Sequence, residues 1–293
     1  MGCASSSMAY TAPSELVFPR ATTHVAVREF SAEDGGLSLL PIAGVASASM
    51  VGGGPSKINQ DAFAADACLR DDPNLGLFSV MDGHGPQGHL VARLLAAELA
   101  AHAAAEKPSS QPSACPEDGV APELALRRAF LRQHVAILRA SDAIDCSLSG
   151  ATCSAILIDG ASCRAITAHV GDVRCVAAVQ RAPRERVRAL EWTCDHTPEM
   201  HAEASRCHAM GARIAPWRED PRRGGQRPVQ RVWLADDDSP GLAVTRAFGD
   251  TVGARVGVLA EPTIRSWPCA CHPHTRPLHA HAHTRTRAHT RVA

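Results

Sequence analysis

Four acids and one histidine in this chain have the residue types and settings for chemistry. Asp82 and His84 end the run Leu75-Gly-Leu-Phe-Ser-Val-Met-Asp-Gly-His-Gly85. Asp172 follows Gly171, Asp250 follows Gly249, and Asp61 follows Ile58-Asn-Gln. Acids delivered from the ends of separate strands suit hard cations, which take several oxygen ligands from different segments. His84 adds the side chain whose unperturbed pKa lies near neutrality. Gly83 and Gly85 permit a sharp turn and close backbone approach. The stretch Asp82-Gly-His-Gly85 reads as a metal-binding or catalytic turn, or as a plain strand-to-helix turn capped by Asp82. Any one acid is an ordinary turn residue by default; the order and shared setting of all four carry the metal reading.

The elements that must hold these residues follow from periodicity. Residues 75–81 form a continuous apolar run bounded by Pro73-Asn74 and by glycines, which predicts a strand covered on both faces. Leu90, Val91, Leu94, Leu95 and Leu99 recur at helical spacing among alanines and predict a helix of four or five turns. A second amphipathic helix is expected from Glu123 to about Ala140, with Leu124, Phe130, Leu131, Val135 and Leu138 inward. The period then changes to that of strands at 151–158, 163–170 and 175–179. Asp159-Gly160 and Gly171-Asp172 supply the turns of an antiparallel meander. Thr197-Pro198-Glu199 reads as a helix start, with the helix ending near Gly211. Short strands are expected at 229–234 and 242–244. Helices beside antiparallel strands make an α+β domain.

Composition bounds the rest. The 293 residues are 45% hydrophobic and carry a formal net charge of zero, so a core is affordable in size and a nucleic-acid partner is not expected. No window approaches the roughly 20 apolar residues of a membrane span. The eleven cysteines, with no secretory leader, predict reduced thiols and a cytoplasmic protein. Cys153, Cys163 and Cys175 fall in strand-like runs and are expected as small hydrophobes. Gly2 followed by Ser6 fits N-myristoylation, and Cys3 beside it palmitoylation; two acyl chains hold a membrane stably where one does not. The competing reading is a small polar terminus that begins Met-Gly. Residues 1–40 read as an N-terminal tail and 41–267 as the folded domain. Residues 268–293 read as a disordered tail of His, Arg and Thr, with no acid after Glu261.

Seven motifs in order then carry a family resemblance. They are Lys57-Ile-Asn-Gln-Asp61, Phe78-Ser-Val-Met-Asp-Gly-His-Gly85, Ser149-Gly-Ala-Thr152 and His169-Val-Gly-Asp-Val-Arg174, followed by Asp195-His-Thr-Pro198, Gly241-Leu-Ala-Val-Thr-Arg-Ala-Phe-Gly-Asp250 and Glu261-Pro-Thr-Ile264. The chain resembles the metal-dependent protein serine/threonine phosphatases of the type 2C, or PPM, class. The resemblance implies a two-sheet antiparallel β-sandwich flanked by helices. It implies Mg²⁺ or Mn²⁺ as cofactors and phosphoserine or phosphothreonine proteins as substrates, hydrolysed by direct attack of a metal-bridging hydroxide. A monomer is expected, with membrane association through the N-terminal lipid.

Carried onto this sequence, the resemblance makes Asp82 the carboxylate that bridges two metals and the Gly83 carbonyl a further ligand, the glycine being there so that its carbonyl can face the metal. Asp61 resembles the acid that holds metal-bound water, and Asp172 a ligand of a third, weaker metal. His84 resembles the general acid that protonates the leaving oxygen. Lys57 is the nearest residue to the family's phosphate-binding arginine. Asp250 and Arg246 belong to a signature of more structural role. The family continues beyond Glu-Pro-Thr-Ile into a strand ending in Asp-Gly and a later Asp-Asn pair, and this chain has neither. The expected protein is therefore a C-terminally truncated phosphatase with an incomplete two-metal centre. The alternatives are a catalytically impaired binding module and a metal-binding protein acting through its His-rich tail.

Overall fold

The computed structural model describes residues 24–29, 44–49, 58–109, 119–179, 186–217, 228–268 and 279–283. Gly2, Cys3 and Lys57, with the lipidation and phosphate-binding roles expected of them, lie outside the described residues. Strands β1 (His24–Glu29), β2 (Gly44–Ser49), β3 (Asp61–Asp66) and β4 (Leu75–His84) precede helices α1 (Gly88–Ala105) and α2 (Pro122–Arg139). The meander follows as β5 (Gly150–Asp159), β6 (Arg164–Val170), β7 (Arg174–Val179) and β8 (Arg188–Glu191). Helix α3 (His201–Ala209), strands β9 (Arg213–Pro216), β10 (Gln230–Trp233), β11 (Pro240–Leu242) and β12 (Phe248–Gly249), and the short helix α4 (Thr251–Ala254) come next. Strands β13 (Thr263–Pro268) and β14 (His279–His283) close the described chain.

The main sheet runs β13-β6-β5-β4-β3, with β12 paired to the end of β5. Side chains alternate along a strand, and β4 uses both of its faces. Leu77 and Met81 face a core shared with Leu95 and Leu99 of α1 and with Leu126, Phe130 and Ile137 of α2. Phe78 faces the other way, into a cluster with Ile156, Cys175, Ala177 and Trp192 that joins this sheet to the second one, β14-β7-β8. That is the expected antiparallel sandwich with helices outside. A third core of Cys207, Val232, Leu242, Val256 and Val258 sits under α3 and the β9–β11 sheet.

Several local readings need correction. Helix α2 turns a different stripe inward: Leu126, Ala129, Phe130, Gln133 and Ile137 are buried, whereas Leu124, Leu131 and Val135 are exposed. The buried face contains Gln133, whose amide nitrogen donates to Glu98 at 3.1 Å while its Oε1 has no partner, and a polar residue there hid the true stripe. Helix α3 begins at His201, later than the Thr197-Pro198-Glu199 start read from the sequence: Met200 N–H bonds to the Thr197 carbonyl in a turn, and Glu199 accepts the Gln230 N–H (3.2 Å). Cys163 lies in the β5–β6 turn at φ 51°, in the left-handed region, while Cys153 and Cys175 are buried as expected. The stretches read as tails each hold a strand: β1 pairs with β2, and β14 pairs with β7. His279-Ala-His-Ala-His283 alternates with a period of two, which lets it add to an open edge.

Candidate active site

The register of β4 assembles the site. Asp61 of β3 stands opposite Asp82 of β4, and on the other flank Asp82, Gly83 and His84 pair with Thr152, Ala151 and Gly150 of β5. Asp82 and His84 share the face of β4 that looks toward the second sheet, at its open end. The two acids are therefore side by side, and burial raises both. Burial, together with the charges of Asp61 and Asp172, pushes Asp82 up to about 7. Burial also raises Asp61, against hydrogen bonds from Asp82 and Ser49 that lower it. No arginine or lysine is ion-paired with either carboxylate among the described residues. The charge of His84 opposes the rise at Asp82 without overcoming it, and crowded carboxylates of this kind favour a further positive group beside them.

Asp172 reaches this pair from the β6–β7 turn. His196 holds the turn: its N–H donates to the Gly171 carbonyl at 2.9 Å, and its Nδ1 accepts the Gly171 N–H at 3.2 Å. Burial and the neighbouring His169 push His196 down to about 3, so its ring stays neutral and can accept. The rings of His169 and His196 stack at 4.4 Å. Burial and the charge of Asp195 raise Asp172.

Gly83 is required for space. A Cβ there would press into the carbonyls of Gly88, at the start of α1, and of Gln60, which accepts the Gly83 N–H at 3.1 Å. The helix start is packed directly on the strand, a steric reason for glycine that stands beside the expected role of its carbonyl.

The residue whose role the sequence did not reveal is Asp250. Its carboxylate is fully buried and accepts a hydrogen bond from His84 Nε2 at 2.6 Å. Gly249 (φ 78°) and Asp250 (φ 48°) both adopt left-handed backbone, and Gly150 leaves open the volume that the Asp250 carboxylate enters. Burial would lower the His84 pKa, but the charge and hydrogen bond of Asp250 outweigh it and the net shift is upward. The imidazolium is thus favoured in a half-buried place. The left-handed Gly-Asp turn beside a strand was the available signal. Arg246, in the same signature, binds Glu203 through Nε and Nη2 (3.1 and 2.6 Å) and donates to the Glu261 carbonyl at 2.9 Å. Arg206 and Thr245 also donate to Glu203, which ties α3, the Asp250 turn and the approach to β13 into one node.

Paired carboxylates match a hard divalent cation in the kind of donor they offer. In number they fall short: among the described residues no three His, Cys, Asp or Glu side chains converge closely enough to hold a metal ion. Asp61 and Asp82 are brought together, Asp172 acts on them through its charge, and His84 stands beside them.

Comparison with known proteins agrees with this geometry. Residues 54–271 match the family described as "Protein phosphatase 2C". The chain is 34% identical over 219 residues to "Probable protein phosphatase 2C 64" of Oryza sativa subsp. japonica, covering 73% of this chain and 47% of that one. It is 32% identical over 224 residues to "Probable protein phosphatase 2C 35" of Arabidopsis thaliana, covering 72% and 60%. The chain thus spans about half the length of the curated relatives it matches. A crystal structure of serine-threonine phosphatase 2C from Toxoplasma gondii superposes with a TM-score of 0.57 at 16% identity, over 90% of this chain and 78% of that one, a likeness of fold.

Proposed function

The chain belongs to the protein phosphatase 2C family, and from that premise we propose that it hydrolyses phosphoserine and phosphothreonine in proteins with the help of Mg²⁺ or Mn²⁺. The observation that carries this reading is the juxtaposition, at one strand end, of the crowded Asp61–Asp82 pair and the His84–Asp250 hydrogen bond. Asp61, Asp82 and the Gly83 carbonyl would hold the metal, with Asp172 nearby. Bound divalent cations supply Lewis acidity, which makes water a better nucleophile and neutralises phosphate charge.

The chain's own groups handle the proton. Water oxygen bonds to phosphorus as the bond from phosphorus to the serine or threonine oxygen breaks. His84 Nε2 is committed to Asp250, so Nδ1 delivers the proton to the leaving oxygen. General acid help of this kind contributes about 10²- to 10⁴-fold in rate. Asp250 never touches substrate in this scheme; it keeps the imidazole charged and aimed.

Manganese-dependent phosphate release from a phosphothreonine peptide tests the proposal, with Asp82→Asn as control. Release by the wild type that the variant loses supports it. Equal silence from both folded proteins favours the second reading, a non-catalytic module that binds phosphoproteins. The reason to keep that reading is the two-carboxylate cluster, which lacks a third converging ligand among the described residues.

A further inference from the structure

Two of the motifs in the sequence, Asp195-His-Thr-Pro198 and Glu261-Pro-Thr-Ile264, have no part in the proton and cation chemistry described so far. A single hydrogen bond joins them: His196 Nε2 lies 2.8 Å from Thr263 Oγ1, across 67 residues of chain. Nδ1 of the same ring accepts the Gly171 N–H at 3.2 Å, so it carries no proton there. Nε2 is then the ring's N–H and donates to Thr263, which fixes the tautomer from both ends. The ring is buried and stacks at 4.4 Å on His169, whose partner across the β6–β13 pairing is Thr263 itself. Arg246 Nη1 also reaches Thr263 Oγ1, at 3.4 Å, so the pair is tied to the Glu203 node.

The other end of the ring grips the peptide that carries Asp172. Gly171 has φ 87°, and a Cβ there would overlap Thr152, the β5 residue opposite Asp82. The turn is thus seated against the strand that flanks Asp82. On its far side Arg174 donates to both oxygens of Asp195, at 2.7 and 2.6 Å, so the turn is joined to Asp195-His196 before and after Asp172. No ion pair holds the Asp172 carboxylate among the described residues, which leaves its placement to the backbone beneath it. We propose that His196 and Thr263 are positioning residues that hold Asp172 in place as a ligand for a divalent cation, an inference that rests on the cation reading above. Neither residue touches substrate or cation; they act through the Gly171 peptide. Groups that orient a metal ligand from behind typically change affinity about 10- to 100-fold when removed.

The test titrates the full chain with Mn²⁺ and follows the paramagnetic resonance signal of the free ion, with no substrate present. The wild type should bind, and Asp172→Asn should lose its weakest class of sites. Thr263→Val keeps the side-chain shape without the hydroxyl and should weaken that class about tenfold, while Thr263→Ser should restore it. In the Asp172→Asn background Thr263→Val should change nothing further, because its effect passes through Asp172. His196→Asn keeps an acceptor for the Gly171 N–H but loses the bond to Thr263; it should weaken the same class and replaces Thr263→Val if that variant fails to fold. Unchanged Mn²⁺ affinity in the folded variants overturns the proposal. So does an equal loss in the Asp172→Asn background, or a failure of serine to rescue, either of which would make the role merely structural. A wild type that binds no Mn²⁺ overturns the cation reading along with this one, whereas a binding wild type matched by its variants removes this one alone.

Discussion

Replacing Glu203 by Gln probes the node that fixes the Asp250 turn. The carboxylate is 3% exposed and accepts from Arg246 at 2.6 Å, Arg206 at 2.7 Å and Thr245 at 2.8 Å. Burial alone would raise its pKa, yet the donors hold it at about 2 against an ordinary 4.5. At about 1.36 kcal/mol per pH unit, that depression is worth about 3 kcal/mol of stability. Losing the acceptor from a buried pair typically costs about 3–5 kcal/mol, because the guanidinium groups stay behind. Urea denaturation at pH 7 should therefore find Glu203→Gln about 3 kcal/mol less stable. The pH dependence has a definite sign. A depressed carboxylate stabilises fully above 4.5 and loses that contribution as pH falls toward about 2. The gap between wild type and variant should shrink across that window. A gap below about 1 kcal/mol at pH 7, or one that stays constant through the acid range, refutes the reasoning.

Three further outcomes follow from the same geometry. Asp250→Asn should cut turnover of a phosphothreonine peptide about 100-fold, but that of p-nitrophenyl phosphate by much less, since its leaving group needs little protonation; equal losses would sink the general-acid assignment. In the absence of divalent cations Asp82→Asn should melt higher than the wild type. The unfolded acid ionises near 3.8 but the folded one near 7, so wild-type stability falls as pH rises between them. Added Mn²⁺ should raise the melting temperature of the wild type and leave the variant unmoved; the opposite pattern counts against the cation site. Phe130→Ala should cost about 3–5 kcal/mol and Leu131→Ala under about 1 kcal/mol in denaturation, and similar costs would contradict the observed face of α2.

The fold was legible where apolar patterning is continuous. The β4 run, the α1 leucines and the β5–β7 meander each specify a face without competition from polar residues. Helix α2 was misread because two stripes fit its period, and the one that is buried includes Gln133. The acids were visible as a set, since glycine turns mark Asp82, Asp172 and Asp250 alike. What they do to one another was not visible. The pairing of His84 with Asp250 spans 166 residues and depends on left-handed backbone at Gly249 and Asp250, which sequence spacing does not encode. The Glu203 node joins α3 to the same turn by contacts equally remote in the chain. Register across β3, β4 and β5 is also nonlocal, and it sets which acid faces which.

The two faces of β4 make this strand a counting device. Its odd positions face the helices and its even positions face the cleft, so a residue inserted within the strand before Asp82 would swap the two sets and bury the acid beneath α1. Inserting two residues would restore the parity but carry Asp82 about 7 Å along the sheet, away from Asp61. Substitution can tune this segment; changes of length cannot. Among relatives that keep the chemistry, insertions and deletions should therefore gather in connections such as 106–121, while the ten residues from Leu75 to His84 keep their number.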